Sequence, residues 1–181
     1  MRSVSESPIP EAWTGLTATE LAPLLLGKSL CRRLPDGTVL RWPITETEAY
    51  DGFEDKASHA HRGPTPRNQI MFERGGRWYV YLCYGVHWLL NLTAGPAEYP
   101  AAVLIRGAGR VSGPGRLTKA LHVDKSLDGQ ECESGSGLWI ESSSRRKLIK
   151  PHLTTPRIGI GYAGGIWVNK PWRFVLSDAV K

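Results

Sequence analysis

The sequence predicts an α+β fold: a single domain with a curved antiparallel β-sheet, a protruding β-hairpin and several short helices. Three observations carry that expectation. Short runs rich in aromatic and β-branched residues recur along the chain, Trp78–Tyr84 and Ala101–Arg106 among them, as strands require. Turn residues punctuate these runs at Pro35-Asp36-Gly37, Gly75-Gly76 and Gly85. Helical stretches are few and short. The 181 residues, 41% hydrophobic and 22% charged, suit one folded core, and no repeat or low-complexity linker divides them.

Taken in order, residues 1–12 read as a loose N-terminal arm of prolines and serines, and 13–181 as the single domain. Thr17 or Thr19 can cap a short helix through Leu26, with Gly27 as its stop. Ser29–Leu34 and Thr38–Tyr50 flank Pro35-Asp36-Gly37 as the strands of a hairpin. Residues 51–70 lack periodicity and form a long irregular loop, a common seat of function in compact domains. Trp78–Tyr84 is a strand, Gly85 interrupts it, and His87–Thr93 resumes the pattern, which puts Tyr84 near a hairpin tip. Ala101–Arg106 is a further strand. A glycine-rich turn, Ser112–Gly115, opens a short helix over Arg116–Val123. Leu138–Glu141, Arg157–Gly161 and Trp172–Leu176 are expected to complete the strands.

Charge and composition narrow the function classes. No apolar run approaches the ~20 residues a membrane span needs. The first residues lack the apolar core of a secretory signal. The expected location is the cytoplasm, with the nucleoid, in a bacterium, or the nucleus in a eukaryote. A net charge of +6 is the footprint of a polyanion binder. Arg106, Arg110, Arg116, Lys119 and Lys125 cluster against only Asp124, whereas Arg145, Arg146, Lys147 and Lys150 read as a solvated face. Three widely spaced cysteines, Cys31, Cys83 and Cys132, exclude a disulfide framework or a cysteine-rich zinc site. Cys83, within an apolar run, is expected to be a small buried hydrophobe.

Four constellations carry chemistry. In Thr45–Tyr50, strand alternation puts Glu46, Glu48 and Tyr50 on one face. Composition alone favours a solvent-facing strand edge, but the following loop adds His59, His61, Arg62, Arg67 and Asn68. In the next strand Tyr79, Tyr81 and Cys83 share one face, and Trp78, Val80 and Leu82 suit a sheet core on the other. Tyrosine hydroxyls need partners when buried, so the tyrosine face suits either packing or a stacking platform for bases. His59-x-His61 lies near Asp51, Glu54 and Asp55 but matches no strong ligand spacing, so no metal is expected. The glycines of residues 157–165 fit either close ligand approach or a bulged strand.

Together these residues resemble the alkyladenine (3-methylpurine) DNA glycosylase family. Glu46-Thr47-Glu48-Ala49-Tyr50, Glu54–His59, Thr65-Pro66-Arg67-Asn68 and Met71-Phe72 match its motifs in order. Tyr79-Val80-Tyr81, Tyr84-Gly85, Asn91, Val103–Arg106, Gly113-Pro114, Lys119-Ala120-Leu121 and Arg157–Gly161 continue the match, which covers about residues 20–176. The resemblance implies a fold like the formyltransferase C-terminal domain and a monofunctional glycosylase for alkylated or deaminated purines. Its partner would be double-stranded DNA, with no cofactor and a monomeric state.

The resemblance also assigns roles. Glu48 would deprotonate the water that attacks the sugar C1′, helped by Arg106 and the backbone carbonyl of Ile158. Tyr50 and His59 would stack on one face of the flipped base and Tyr81 on the other. The His59 backbone N–H would read the purine 6-position, and Asn91 would disfavour normal guanine. Tyr84 would wedge into the helix, as base extrusion requires. No lysine lies within Thr45–Tyr50, which fits hydrolysis without a Schiff-base lyase step. The competing class is a non-catalytic nucleic-acid-binding domain that uses the same basic and aromatic face.

Overall fold

A computed structural model describes residues 11–141 and 149–177. Most of the expected N-terminal arm, and Arg145, Arg146 and Lys147, therefore lie outside the described residues. Nine strands are described: β1 (Ser29–Arg33), β2 (Val39–Asp51), β3 (Trp78–Cys83), β4 (His87–Thr93), β5 (Ala101–Ala108), β6 (Val111–Ser112), β7 (Leu138–Glu141), β8 (His152–Thr155) and β9 (Arg173–Leu176). The main path through the sheet runs β3-β4-β5-β2-β1-β7, and every pairing is antiparallel. With its three short helices, α1 (Glu11–Thr14), α2 (Ala18–Leu25) and α3 (Pro114–Ala120), this is the α+β domain expected.

β2 is the spine. Its first half, Val39–Pro43, pairs with β1, and its second half pairs with β5 on one edge and β9 on the other. The β2–β5 register shifts between Ile44 and Thr47, where a bulge lets one strand serve both halves of the sheet. Alternation then separates two faces. Ala49, Val80, Leu90, Leu92, Val103 and Ile105 face a single large core with α2, α3 and Trp13. Thr47 points the same way and donates its hydroxyl to the Ala22 carbonyl at 3.0 Å.

Helix α2 starts where the sequence places it. Thr17 accepts from the Glu20 N–H, and the Glu20 carboxylate accepts in return from the Thr17 N–H at 2.9 Å. The opposite face of the sheet is covered by irregular segments, residues 52–75 and 156–172. Three expectations change here. Residues 157–161 are not a strand; they wrap this face as loop, and the partner of β9 is instead His152–Thr155. Leu82 is 39% exposed and not in the core, because β3 runs out beyond the sheet towards its hairpin tip. Cys83, on the same overhang, is only half-buried, unlike Cys31 and Cys132. Among the described residues no helix is long and apolar enough to cross a membrane.

Candidate active site

Register places the site residues in one row. Tyr79 lies opposite Asn91, Asn91 opposite Leu104, Leu104 opposite Glu48, and Glu48 opposite Arg173. Antiparallel partners point to the same face, so Tyr79, Asn91 and Glu48 share the face away from the core. The strands stand ~4.8 Å apart, which puts Glu48 about three strand spacings from Tyr79.

At one end of the row lies a cleft of about 40 Å³ lined by Tyr50, His59, Tyr79, Tyr81, Asn91 and Tyr162, with Met71 and Ala102 among its apolar lining. The Asn91 side-chain amide donates to the Tyr79 carbonyl at 3.0 Å, which fixes its orientation. His59 comes from the 52–75 segment. The Asn68 side chain ties that segment by donating to the carbonyls of His59 (2.9 Å) and Gly63 (3.1 Å). The His59 Nδ1 sits 2.9 Å from the Tyr79 hydroxyl, and Arg67 lies 4.9 Å over the Tyr81 ring. Packing against these rings and the nearby Arg67 cation hold the His59 imidazole below the usual histidine value, so it is neutral at pH 7. Burial pushes the Tyr79 phenol up to about 12 and raises Tyr81 as well, so both remain uncharged.

His59 and Tyr81 touch each other, centroids 4.6 Å apart and edge to face at 67°. No base fits between rings in that contact. The expected sandwich of Tyr50 and His59 against Tyr81 would therefore need one of these rings to move.

Behind the Tyr50 wall lies Glu48, with no solvent exposure. Its Oε2 accepts from the Tyr50 hydroxyl at 2.9 Å, and its Oε1 accepts from the Ile158 N–H at 2.8 Å. Arg106 Nη1 stands 3.4 Å from the same Oε1. The expected Ile158 contact used its carbonyl; the contact present is made by its N–H, donating directly to the carboxylate. Burial raises the Glu48 carboxyl above its ordinary value, opposed by Arg106, the Ile158 N–H and the Tyr50 hydroxyl. Tyr50, buried beside that carboxylate, is pushed well up and stays a donor.

Glu46, two residues earlier on the same face, is occupied differently. Its Oε1 takes Arg106 Nε at 2.7 Å and Arg173 Nε at 2.6 Å. Glu46 thus aims Arg106, and Arg106 reaches Glu48.

Tyr84 is 93% exposed at the β3–β4 tip, with φ of 50° followed by Gly85 at 68°. Val86 donates back to Cys83 at 3.1 Å, closing a turn whose two central residues are both left-handed, the twist a tight hairpin favours. His61 is turned away from His59, its Nδ1 2.8 Å from the Phe53 carbonyl. Among the described residues no group of three His, Cys, Asp or Glu side chains gathers as a metal cluster.

Sequence reasoning missed three contributors. Tyr162, 70% exposed, forms one rim of the cleft and donates to the Ala57 carbonyl at 2.8 Å. Asp55 and Arg157 form a fully buried ion pair beneath the cleft. Their partners lie far away in sequence, and the one local signal was their place inside the Glu54–His59 and Arg157–Gly161 motifs.

A buried carboxylate joined through a tyrosine hydroxyl to an aromatic cleft, beside an exposed aromatic on a neighbouring hairpin, marks the candidate active site of an enzyme. The methylpurine-DNA glycosylase family model matches residues 12–180, and the chain belongs to that family. It is 39% identical over 206 residues to a putative 3-methyladenine DNA glycosylase of Psychrobacter cryohalolentis, covering 97% of this chain and 94% of the relative. A second relative of the same description, from Anaeromyxobacter dehalogenans, is 42% identical over 180 residues, 94% of this chain and 84% of its own. The human DNA-3-methyladenine glycosylase is 36% identical over 191 residues, which span 90% of this chain but 63% of the human protein. The chain is a DNA glycosylase, an enzyme of DNA repair whose substrate is DNA.

Proposed function

We propose that this enzyme, acting as a monomer, extrudes alkylated or deaminated purines from duplex DNA and hydrolyses the N-glycosidic bond with a water activated by Glu48. The observation that carries this reading is the Tyr50 hydroxyl, which joins the wall of the aromatic cleft to the Glu48 carboxylate at 2.9 Å. A base seated against Tyr50 has its sugar on the Glu48 side. A carboxylate offers about four lone-pair directions. The Ile158 N–H, the Tyr50 hydroxyl and Arg106 take three of them, which leaves one for a water.

Glu48 removes a proton from that water as its oxygen bonds to C1′. The C1′–N bond breaks with its electrons moving to the base, and the carboxylate offsets the positive character of the sugar. An alkylated purine already carries a positive charge and leaves neutral. A deaminated purine needs a proton, and is the slower substrate. Tyr84 fills the space the base vacates, and the Asn91 amide crowds the guanine 2-amino group. Among the described residues no lysine lines the cleft, which fits hydrolysis without a lyase step.

Base release from duplex DNA carrying methylated, deaminated and etheno purines tests the reading. The wild-type protein should release methylated purines fastest. Glu48→Gln should lower the single-turnover rate by at least ~10²-fold while still binding an abasic-site duplex. Normal cleavage by Glu48→Gln removes Glu48 as the base.

A further inference from the structure

We propose that Arg157 is a positioning residue for the base: it holds in place both protein groups that donate a full hydrogen bond to Glu48. The inference rests on reading Glu48 as that base. The first donor is the N–H of Ile158, the next residue in the chain. The second is Tyr50, whose ring lies 4.7 Å from the Arg157 guanidinium.

Arg157 is anchored from several sides. Its two terminal nitrogens fork onto Asp55, at 2.6 Å and 2.8 Å, and Nη1 also donates to the Ala49 carbonyl at 2.8 Å. Ala49 is the β2 residue between Glu48 and Tyr50, so the guanidinium grips the strand at the position where the base is mounted. Trp172 covers the guanidinium at 5.0 Å. Asp55 accepts in turn from the backbone N–H groups of Asp51 and Ala57, both at 3.1 Å. One buried pair thus joins β2, the segment carrying Ala57 to His59, and the segment carrying Ile158.

The need for such an anchor follows from the local backbone. Residues 157–160 have no strand ladder to hold them, and Gly159, at φ 77°, turns the chain away directly after Ile158. Without Arg157, nothing in the ladder fixes where the Ile158 N–H points. Arg157 Nε has no partner among the described residues, so the side chain is placed to fit the fork and the two rings, not to satisfy every donor.

A lysine keeps the charge but cannot reproduce the planar fork, so Arg157→Lys isolates geometry from charge. The readout is single-turnover release of 3-methyladenine and 7-methylguanine from dimethyl-sulfate-treated duplex across pH. These bases leave without protonation, so the acid limb of the profile reports the base. Arg106, Glu46, Tyr50 and the Ile158 N–H face Glu48, with Arg173 acting through Glu46; Arg157→Lys removes none of these groups and disturbs only the placing of Tyr50 and the Ile158 N–H.

The expected result is a plateau rate about tenfold lower and an acid limb moved up by at least about half a pH unit, since losing an N–H donor favours the protonated carboxyl. Affinity for a duplex carrying a tetrahydrofuran abasic analogue should change less than about twofold. An unmoved or lowered acid limb, or a loss confined to DNA affinity, overturns the proposal. If Arg157→Lys does not fold, Trp172→Leu removes one covering ring, leaves the fork intact, and must move the limb in the same direction. Glu48→Gln is run in parallel. Residual full activity there faults the base assignment, whereas an inactive Glu48→Gln beside an unmoved Arg157→Lys limb faults only the positioning role.

Discussion

At the scale of single residues, Glu46 and Glu48 show how one strand face gives two like side chains different work. Glu46 gathers two arginines on one oxygen, whereas Glu48 takes the Tyr50 hydroxyl on one oxygen and the Ile158 N–H on the other. The arrangement has a thermodynamic sign. The folded-state value of Glu48 is raised above its unfolded value, with burial the largest cause. Its contribution to stability is therefore fullest below the unfolded value and is lost as pH rises through the folded value. Glu48→Gln, neutral at every pH, should melt at or above the wild-type temperature at pH 7, with the gap closing towards pH 4. Thermal melts at both pH values check this, and a lower melting temperature for the variant at pH 7 would contradict it.

At the scale of elements, the β3–β4 hairpin presents Tyr84 at a cost. A tyrosine at φ 50° sits in a region that disfavours side chains by roughly 1–2 kcal/mol. Tyr84→Gly relieves that strain, partly offset by the greater chain entropy glycine loses on folding. A net gain of about 1 kcal/mol would raise the melting temperature by ~2–4 °C in a chain of this size. The same variant should lose most of its flipping, read by fluorescence of a reporter base; unchanged flipping would remove the wedge role. The hairpin and the Glu46–Glu48–Tyr50 face were legible in the sequence because period-two alternation and a Tyr-Gly tip are local signals. Residues 157–161 alternate isoleucine with glycine much as a strand does, yet they are held by a side-chain pair 102 residues apart, which no local pattern records. Leu82 misled for a related reason, since alternation gives its face but not where the sheet stops.

At the scale of the whole molecule, the basic surplus divides by place. Arg106 belongs to the site and Lys125 pairs with Asp128 at 2.6 Å. Arg110, Arg116 and Lys119 are exposed. Helix α3, carrying the last two, packs on β4, with Gly115 against the His87 ring at the tip end of the hairpin. That places positive charge on the same side as Tyr84, where duplex phosphates would run if this tyrosine enters the helix as proposed. Replacing Arg116 and Lys119 together by alanine should weaken DNA binding. It should also flatten the plot of log affinity against log salt by about 0.9 for each phosphate no longer neutralised. An unchanged slope would move the phosphate track elsewhere. The overhang of β3 beyond the sheet has one more consequence. Cys31 and Cys132 are sealed in the interior with thiols that resist ionisation, Cys31 pushed up to about 12. Cys83 is the most accessible of the three and adjoins Tyr84. The sequence thus supplies a handle for attaching a fluorescent or spin probe one residue from Tyr84, so that the proposed insertion of this tyrosine into DNA can be tested without introducing a new cysteine.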